Sequence, residues 1–251
     1  MNRIFRFALV LAIPLFLVFT ATGLRAEHDA ATPAQEILEE SIRNYLLSHP
    51  EVIIEVLDIL RAERQVSEAE QVEQTLAAQQ EAIFNDPTSP VGSNPDGDVT
   101  IVEFFDYFCG YCKRVMPDLI RAMEDDGGIR FVYKEFPILG PDSIVASRVA
   151  LAAHRQAPEK YEALHVAMMS SRLRMNETNA LGIAGDLGYD VDRLREDLDS
   201  PEISRILGHN NALAEQLGIR GTPGFVIGDQ VIGGAIDMDT LLELIAQARQ
   251  S

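Results

Sequence analysis

The sequence predicts a mixed α/β domain that carries an inserted helical block and is preceded by a helical segment. Three observations carry that prediction. An apolar run rich in β-formers, residues 99–105, runs straight into Cys109-Gly-Tyr-Cys112 and then into a helical pattern. A long helical stretch separates a second strand, residues 129–136, from a short hairpin pattern at residues 225–232. Residues 33–83 read as helix without a strand signal. The order strand, helix, strand, several helices, hairpin, helix belongs to α/β or mixed α+β architectures.

Taken in order, the chain of 251 residues starts with Arg3 and Arg6 followed by a charge-free run, residues 7–20, and a short tail ending at Ala26. That pattern predicts a secretory signal peptide over residues 1–26, cleaved near Ala26. The apolar run is short for a membrane anchor, which needs about 20 residues. Export predicts an oxidising compartment. The formal net charge of −18 argues against nucleic acid and anionic membranes as partners.

Thr32-Pro33-Ala34-Gln35 reads as a capped helix start, and the first helix is expected to run to about Leu47. Ser48-His49-Pro50-Glu51 interrupts it, and a second helical pattern spans residues 50–83. Its first half is apolar and its second half thin, so it packs either on its own domain or against other copies. Residues 27–84 therefore form an N-terminal helical segment, and a homo-oligomer through residues 33–84 is expected. Residues 85–96 hold Pro87, Pro90 and Pro95 and read as a linker. The domain is expected over residues 97–251, with the helical insertion at about 140–217. Within it, residues 143–170 read as one helix bent near Pro158, followed by helices at 176–188, 190–198 and 201–217. A last helix is expected over residues 238–248, capped by Asp237.

Cys109 and Cys112 are the only cysteines. A Cys-x-x-Cys pair at a helix start reads as a dithiol/disulfide redox centre, because unpaired N–H groups and the helix dipole favour a thiolate on the first cysteine. Cys109 is the expected nucleophile and Cys112 the resolving cysteine. Zinc needs about four ligands, and no second cysteine pair or suitably spaced histidine accompanies this one. No metal and no cofactor is expected. A structural disulfide closing so tight a loop would constrain the unfolded chain little. Glu103, six residues upstream in the strand, is positioned to exchange a proton with Cys112 if it faces inward. Thr222-Pro223, at the start of the late strand, suggests a tight turn.

Phe104-Phe-Asp-Tyr-Phe-Cys-Gly-Tyr-Cys112, followed far downstream by Gly221-Thr-Pro-Gly-Phe225, resembles the DsbA-like thioredoxin-fold proteins. The resemblance implies a thioredoxin-like fold with an inserted helical subdomain. It matches Cys109 to the nucleophile, Cys112 to the resolving cysteine, Glu103 to the buried strand acid and Pro223 to the cis-proline. Thr222 and Tyr111 fall at substrate-binding positions. Ile42-Arg-Asn-Tyr-Leu-Leu-Ser-His-Pro-Glu-Val52, Phe136-Pro-Ile-Leu-Gly-Pro-Asp-Ser143 and Gly228-Asp-Gln-Val-Ile-Gly-Gly-Ala-Ile-Asp237 are similar to the ScsC-like branch. The sequence departs at Gly110, where many relatives carry proline. The implied activity is thiol-disulfide exchange, oxidising or isomerising disulfides in exported proteins that are unfolded or misoxidised, with a membrane redox partner that resets the pair. The competing reading is a non-catalytic chaperone or a Cu(I)-binding protein using the same two thiolates.

Overall fold

The computed structural model describes residues 32–250. The expected signal peptide lies outside them. The described chain falls into two compact units, divided between Ile59 and Leu60.

The first unit holds α1 (Pro33–Ser48) and the start of α2 (Glu51–Ala78). The backbone N–H of Thr32 donates to Gln35 Oε1 at 2.7 Å, one arm of the predicted capping arrangement. No side chain of α1 is buried. Ile37, Leu38, Ile42, Tyr45, Ile53, Ile54, Leu57 and Leu60 are all exposed. No helix among the described residues is long and apolar enough to cross a membrane.

The second unit is built on a five-stranded sheet of order β1-β3-β2-β4-β5. Its strands are β1 (Val91–Ser93), β2 (Val99–Phe105), β3 (Ile129–Glu135), β4 (Gly224–Ile227) and β5 (Gln230–Gly233). β2 and β3 are parallel, joined through α4 (Gly110–Asp126), and the other neighbours are antiparallel. α4 ends at Gly127, whose φ of 66° favours a residue without Cβ. The alternation of β2 sorts its side chains between two cores. Ile101 and Phe105 point to the face covered by α4, by the insertion and by α10 (Met238–Ala248). Val102 and Phe104 point to the opposite face. The result is a thioredoxin-like α/β fold with an inserted helical subdomain.

The insertion between β3 and β4 contains α5 (Pro141–Gln156), a 3-10 turn at Pro158–Lys160, α6 (Tyr161–Ser170), α7 (Glu177–Asp186), α8 (Val191–Asp197) and α9 (Pro201–Gln216). The single helix expected over residues 143–170 is thus two. Pro158 lacks the N–H that would continue α5, and a tight turn replaces the bend.

Two N-terminal expectations also differ. The helical pattern of residues 50–83 breaks at Gln79, and α3 (Gln80–Phe84) follows. The break redirects the chain so that Ile83 is fully buried under the sheet, while Val72 and Leu76 in the last turns of α2 pack with Leu213, Leu217 and Val226. The thin apolar stripe of this half serves its own domain. Residues 85–96, read as a linker, include β1, which pairs with β3. Proline content obscured it, because β1 is an edge strand of three residues.

A buried cation holds this stretch in place. Lys134, on β3, has no exposed surface, and its Nζ donates to Ala82 O at 2.8 Å, Ser89 Oγ at 2.7 Å and Asp86 Oδ2 at 3.2 Å. Replacing Asp86 by alanine strands the ammonium. The expected loss is about 3 kcal/mol, read as an earlier urea midpoint.

Candidate active site

The site lies where the C-terminal end of β2 turns into α4. Asp106 organises that turn. Its Oδ1 accepts from Phe108 N at 2.8 Å, and its Oδ2 accepts from Ile138 N and Leu139 N, both at 2.9 Å. One carboxylate thereby ties the turn before Cys109 to the loop after β3. The Asp106 carboxylate thus spends its acceptors on backbone donors. An Asp three residues before a helix cap is a turn signature that could have revealed this.

Cys109 is the N-cap of α4. The backbone N–H of Cys112 donates to Cys109 Sγ at 3.3 Å, and the Cys109 thiol donates to the carbonyl of Thr222 at 3.1 Å. Ionised, Cys109 would lose the second bond and keep the first, together with the positive end of the helix dipole. Cys112 lies one turn inside, 1% exposed against 5% for Cys109. Both are free thiols. Burial pushes the Cys112 thiol far above its ordinary range, and the charge of Glu103 adds to that rise. The two sulfurs thus have opposite environments, one offered a donor at a helix end and one desolvated.

Glu103 sits on β2 between Ile101 and Phe105, on the same face of the sheet as the cysteines. It is 3% exposed, and burial alone pushes its pKa up to about 8. A carboxyl there keeps its proton to a higher pH than an exposed one.

The Thr222–Pro223 peptide is cis, and Thr222 brings its carbonyl to Cys109. Gly224 follows because Ile219 Cγ2 lies 2.5 Å from where a Cβ would stand. Tyr111 is 57% exposed, with Arg114 stacked over its ring at 4.7 Å. Lys113 Nζ donates to Ser171 O at 3.3 Å, which joins α4 to the end of α6. The structure therefore brings together Cys109, Cys112, Glu103, Thr222 and Pro223, and leaves Tyr111 on the surface beside them. Sequence reasoning missed Ile138 and Leu139, exposed apolar residues on the loop that Asp106 holds against this turn. Their signal was the Phe136-Pro-Ile-Leu-Gly140 run, read only as a family likeness.

Residues 100–246 match the family model of the DSBA-like thioredoxin domain. The chain belongs to the DSBA-like thioredoxin domain family. Residues 36–65 match a second model, the copper resistance protein ScsC N-terminal domain, which relates this DSBA-like chain to the ScsC branch. Among solved structures, a thioredoxin-like oxidoreductase from Silicibacter pomeroyi is 43% identical, with a TM-score of 0.65, covering 68% of this chain and 98% of that one. ScsC of Proteus mirabilis in a transitional conformation is 30% identical, with a TM-score of 0.65, covering 88% and 98%. A periplasmic thioredoxin-like protein from Salmonella enterica serovar Typhimurium is 30% identical, with a TM-score of 0.59, covering 68% and 96%. Curated relatives include longer proteins. The chain matches Na(+)/H(+) antiporter NhaA 1 of Salinispora arenicola at 26% identity over 152 residues, 60% of this chain and 23% of that protein's length. A DSBA-like fold with a closely spaced cysteine pair supports thiol-disulfide oxidoreductase-type activity in general.

Proposed function

We propose that this protein is a periplasmic thiol-disulfide oxidoreductase that makes or reshuffles disulfides in exported proteins through Cys109 and Cys112. The observation that carries the reading is the seat of Cys109 Sγ, between the Cys112 N–H at the start of α4 and the carbonyl of the cis-proline loop. An incoming sulfur at Cys109 would meet the backbone of Thr222, with the exposed Ile138, Leu139 and Tyr111 around the same turn.

In the oxidising direction a substrate thiolate attacks Cys109 Sγ of the Cys109–Cys112 disulfide. The S–S bond breaks, a mixed disulfide forms, and Cys112 leaves as a thiolate that takes the Glu103 proton. A second substrate thiolate then attacks the substrate sulfur of the mixed disulfide and releases Cys109. The substrate has lost two electrons and two protons, and the enzyme dithiol carries them to a membrane redox partner. For reshuffling, the reduced Cys109 thiolate attacks a wrong substrate disulfide and is expelled when the correct thiol pair closes. Two thiols suffice, with no bound cofactor or metal. The periplasmic assignment rests on the leader-like residues 1–26 and on the likeness to a periplasmic Salmonella protein.

Purified residues 27–251 in a glutathione buffer are expected to restore activity to reduced or scrambled ribonuclease, and Cys109→Ser to remove the effect. Stoichiometric copper binding by a pair that never cycles in such buffers would replace this reading with the copper-holding one.

The apolar side chains of residues 37–60 suit a helical interface between copies of the chain. Because Val72 and Leu76 pack within their own unit, the interface is narrowed to the part of residues 33–84 before about residue 66. Light scattering is expected to give a multiple of the single-chain mass, and the double substitution Ile42→Glu with Leu57→Glu to reduce it to one chain. A one-chain mass for the unmodified protein overturns this.

A further inference from the structure

Glu135 is a second buried acid near the site, and the exchange chemistry has no use for its proton. It closes β3, opposite Phe105 at the end of β2, and is fully buried. Three hydroxyl groups from three different elements converge on its carboxyl. Tyr161 Oη, at the start of α6, lies 2.7 Å from Oε1, and Tyr107 Oη, in the turn before Cys109, lies 3.1 Å from the same oxygen. Ser147 Oγ, on α5, lies 2.6 Å from Oε2. Tyr107 Oη also stands 3.4 Å from His165 Nδ1 on α6. Asn210 Nδ2, on α9, donates to the Glu135 backbone carbonyl at 3.1 Å.

We propose that Glu135 is a positioning residue for Cys109: through Tyr107 it fastens the turn that presents the nucleophile to the inserted helices α5 and α6. This deepens the redox reading above and rests on it. Tyr107 is two residues from Cys109 and three from the N–H of Gly110. Asp106 holds the same turn by its backbone, so the turn has two anchors, one on each of consecutive residues. Losing the Tyr107 anchor lets the turn relax. The Cys112 N–H then no longer points consistently at Cys109 Sγ, and the thiolate loses its donor. A buried, fully hydrogen-bonded polar group on this scale specifies one arrangement of the elements it joins.

The arrangement also says which substitution preserves it. Burial pushes Glu135 up to about 8, with the Ser147, Tyr161 and Tyr107 hydroxyls opposing that rise and the charge of Asp106 adding to it. Burial holds His165 down at about 3, so it faces the cluster as a neutral ring. Both tyrosines donate to Oε1, and the Ser147 hydroxyl donates to Oε2. Glutamine keeps Oε1 as the acceptor for the tyrosines and meets Ser147 Oγ with Nε2 as the donor, the hydroxyl turning to accept. Leucine does neither.

The test is the pH dependence of Cys109 alkylation by iodoacetamide in residues 27–251, with Glu135→Gln, Glu135→Leu and Tyr107→Phe. Leucine is expected to move the titration midpoint up by about one unit and to slow alkylation at pH 7 about tenfold. Glutamine is expected to stay within about twofold of the unmodified chain. Tyr107→Phe is expected to reproduce most of the leucine effect and to add nothing to it in the double variant, as a shared path requires. A folded Glu135→Leu protein with an unmoved midpoint overturns the proposal, as does a glutamine variant that behaves like leucine. If Glu135→Leu does not fold, an unmoved midpoint in Tyr107→Phe overturns it equally. The difference between variants decides this proposal; ribonuclease reactivation by the unmodified chain and its loss in Cys109→Ser separately decide the redox reading.

Discussion

Replacing Cys109 by serine is expected to lower disulfide exchange by at least about a thousandfold, because a serine hydroxyl is neither ionised near neutral pH nor able to carry a mixed disulfide. Cys112→Ser is expected to behave differently. Cys109 keeps its place at the start of α4 and its contact with Thr222, and only the resolving sulfur is lost. Such a variant should accumulate a mixed disulfide with reduced-and-reoxidising ribonuclease, visible as a mass increase that dithiothreitol reverses. Equal loss of capture in both variants would place the nucleophile wrongly.

Glu103→Gln is expected to have the next largest effect, on stability and on one kinetic step. The Glu103 carboxyl has a pKa pushed up to about 8 from an ordinary 4.5 by burial. The folded chain therefore binds a proton there that the unfolded chain has already released between those values. The stability this group contributes is complete below about pH 4.5 and is lost as pH rises through about 8. Glutamine removes that loss. The variant should gain on the unmodified protein across this window, by an amount on the order of 5 kcal/mol once both transitions are passed. Urea unfolding at pH 5 and pH 9 measures it, and a gain that does not grow with pH overturns the assignment. On the role proposed for Glu103, the same substitution removes the proton acceptor for Cys112. Closure of the Cys109–Cys112 disulfide is expected to slow about a hundredfold, with Cys109 alkylation unchanged.

Glu135 is also raised to about 8, in a different setting. Three hydroxyls surround it, while burial alone accounts for Glu103. The pH dependence of the unmodified protein thus carries both acids, and only the pair of single glutamine variants separates them.

Much of this architecture is readable along the chain, because the features involved are local. Cys109 and Cys112 announce themselves by number, spacing and the strand-to-helix junction. Thr32, Pro201 and Asp237 mark helix starts by short-range capping chemistry, and the strands 99–105 and 225–227 stand out by composition. The inward facing of Glu103 follows from alternation along β2 once Ile101 and Phe105 are known to be core. That last condition already depends on the fold.

Only the tertiary structure decided the rest. Gln79 breaks a helix that its local sequence would continue, because Ile83 gains a buried place under the sheet. Val91–Ser93 becomes a strand only because β3 offers it an edge. Asp106, Lys134 and Glu135 look like ordinary charged residues in sequence. Their roles come from partners 32, 48 and 26 positions away. Cys109 and Thr222 lie 113 positions apart and meet at 3.1 Å. Local propensity acts over one or two turns of chain, so it can place the nucleophile on its helix; the groups that hold that helix end in place arrive from across the sheet and from the insertion, and only folding brings them there.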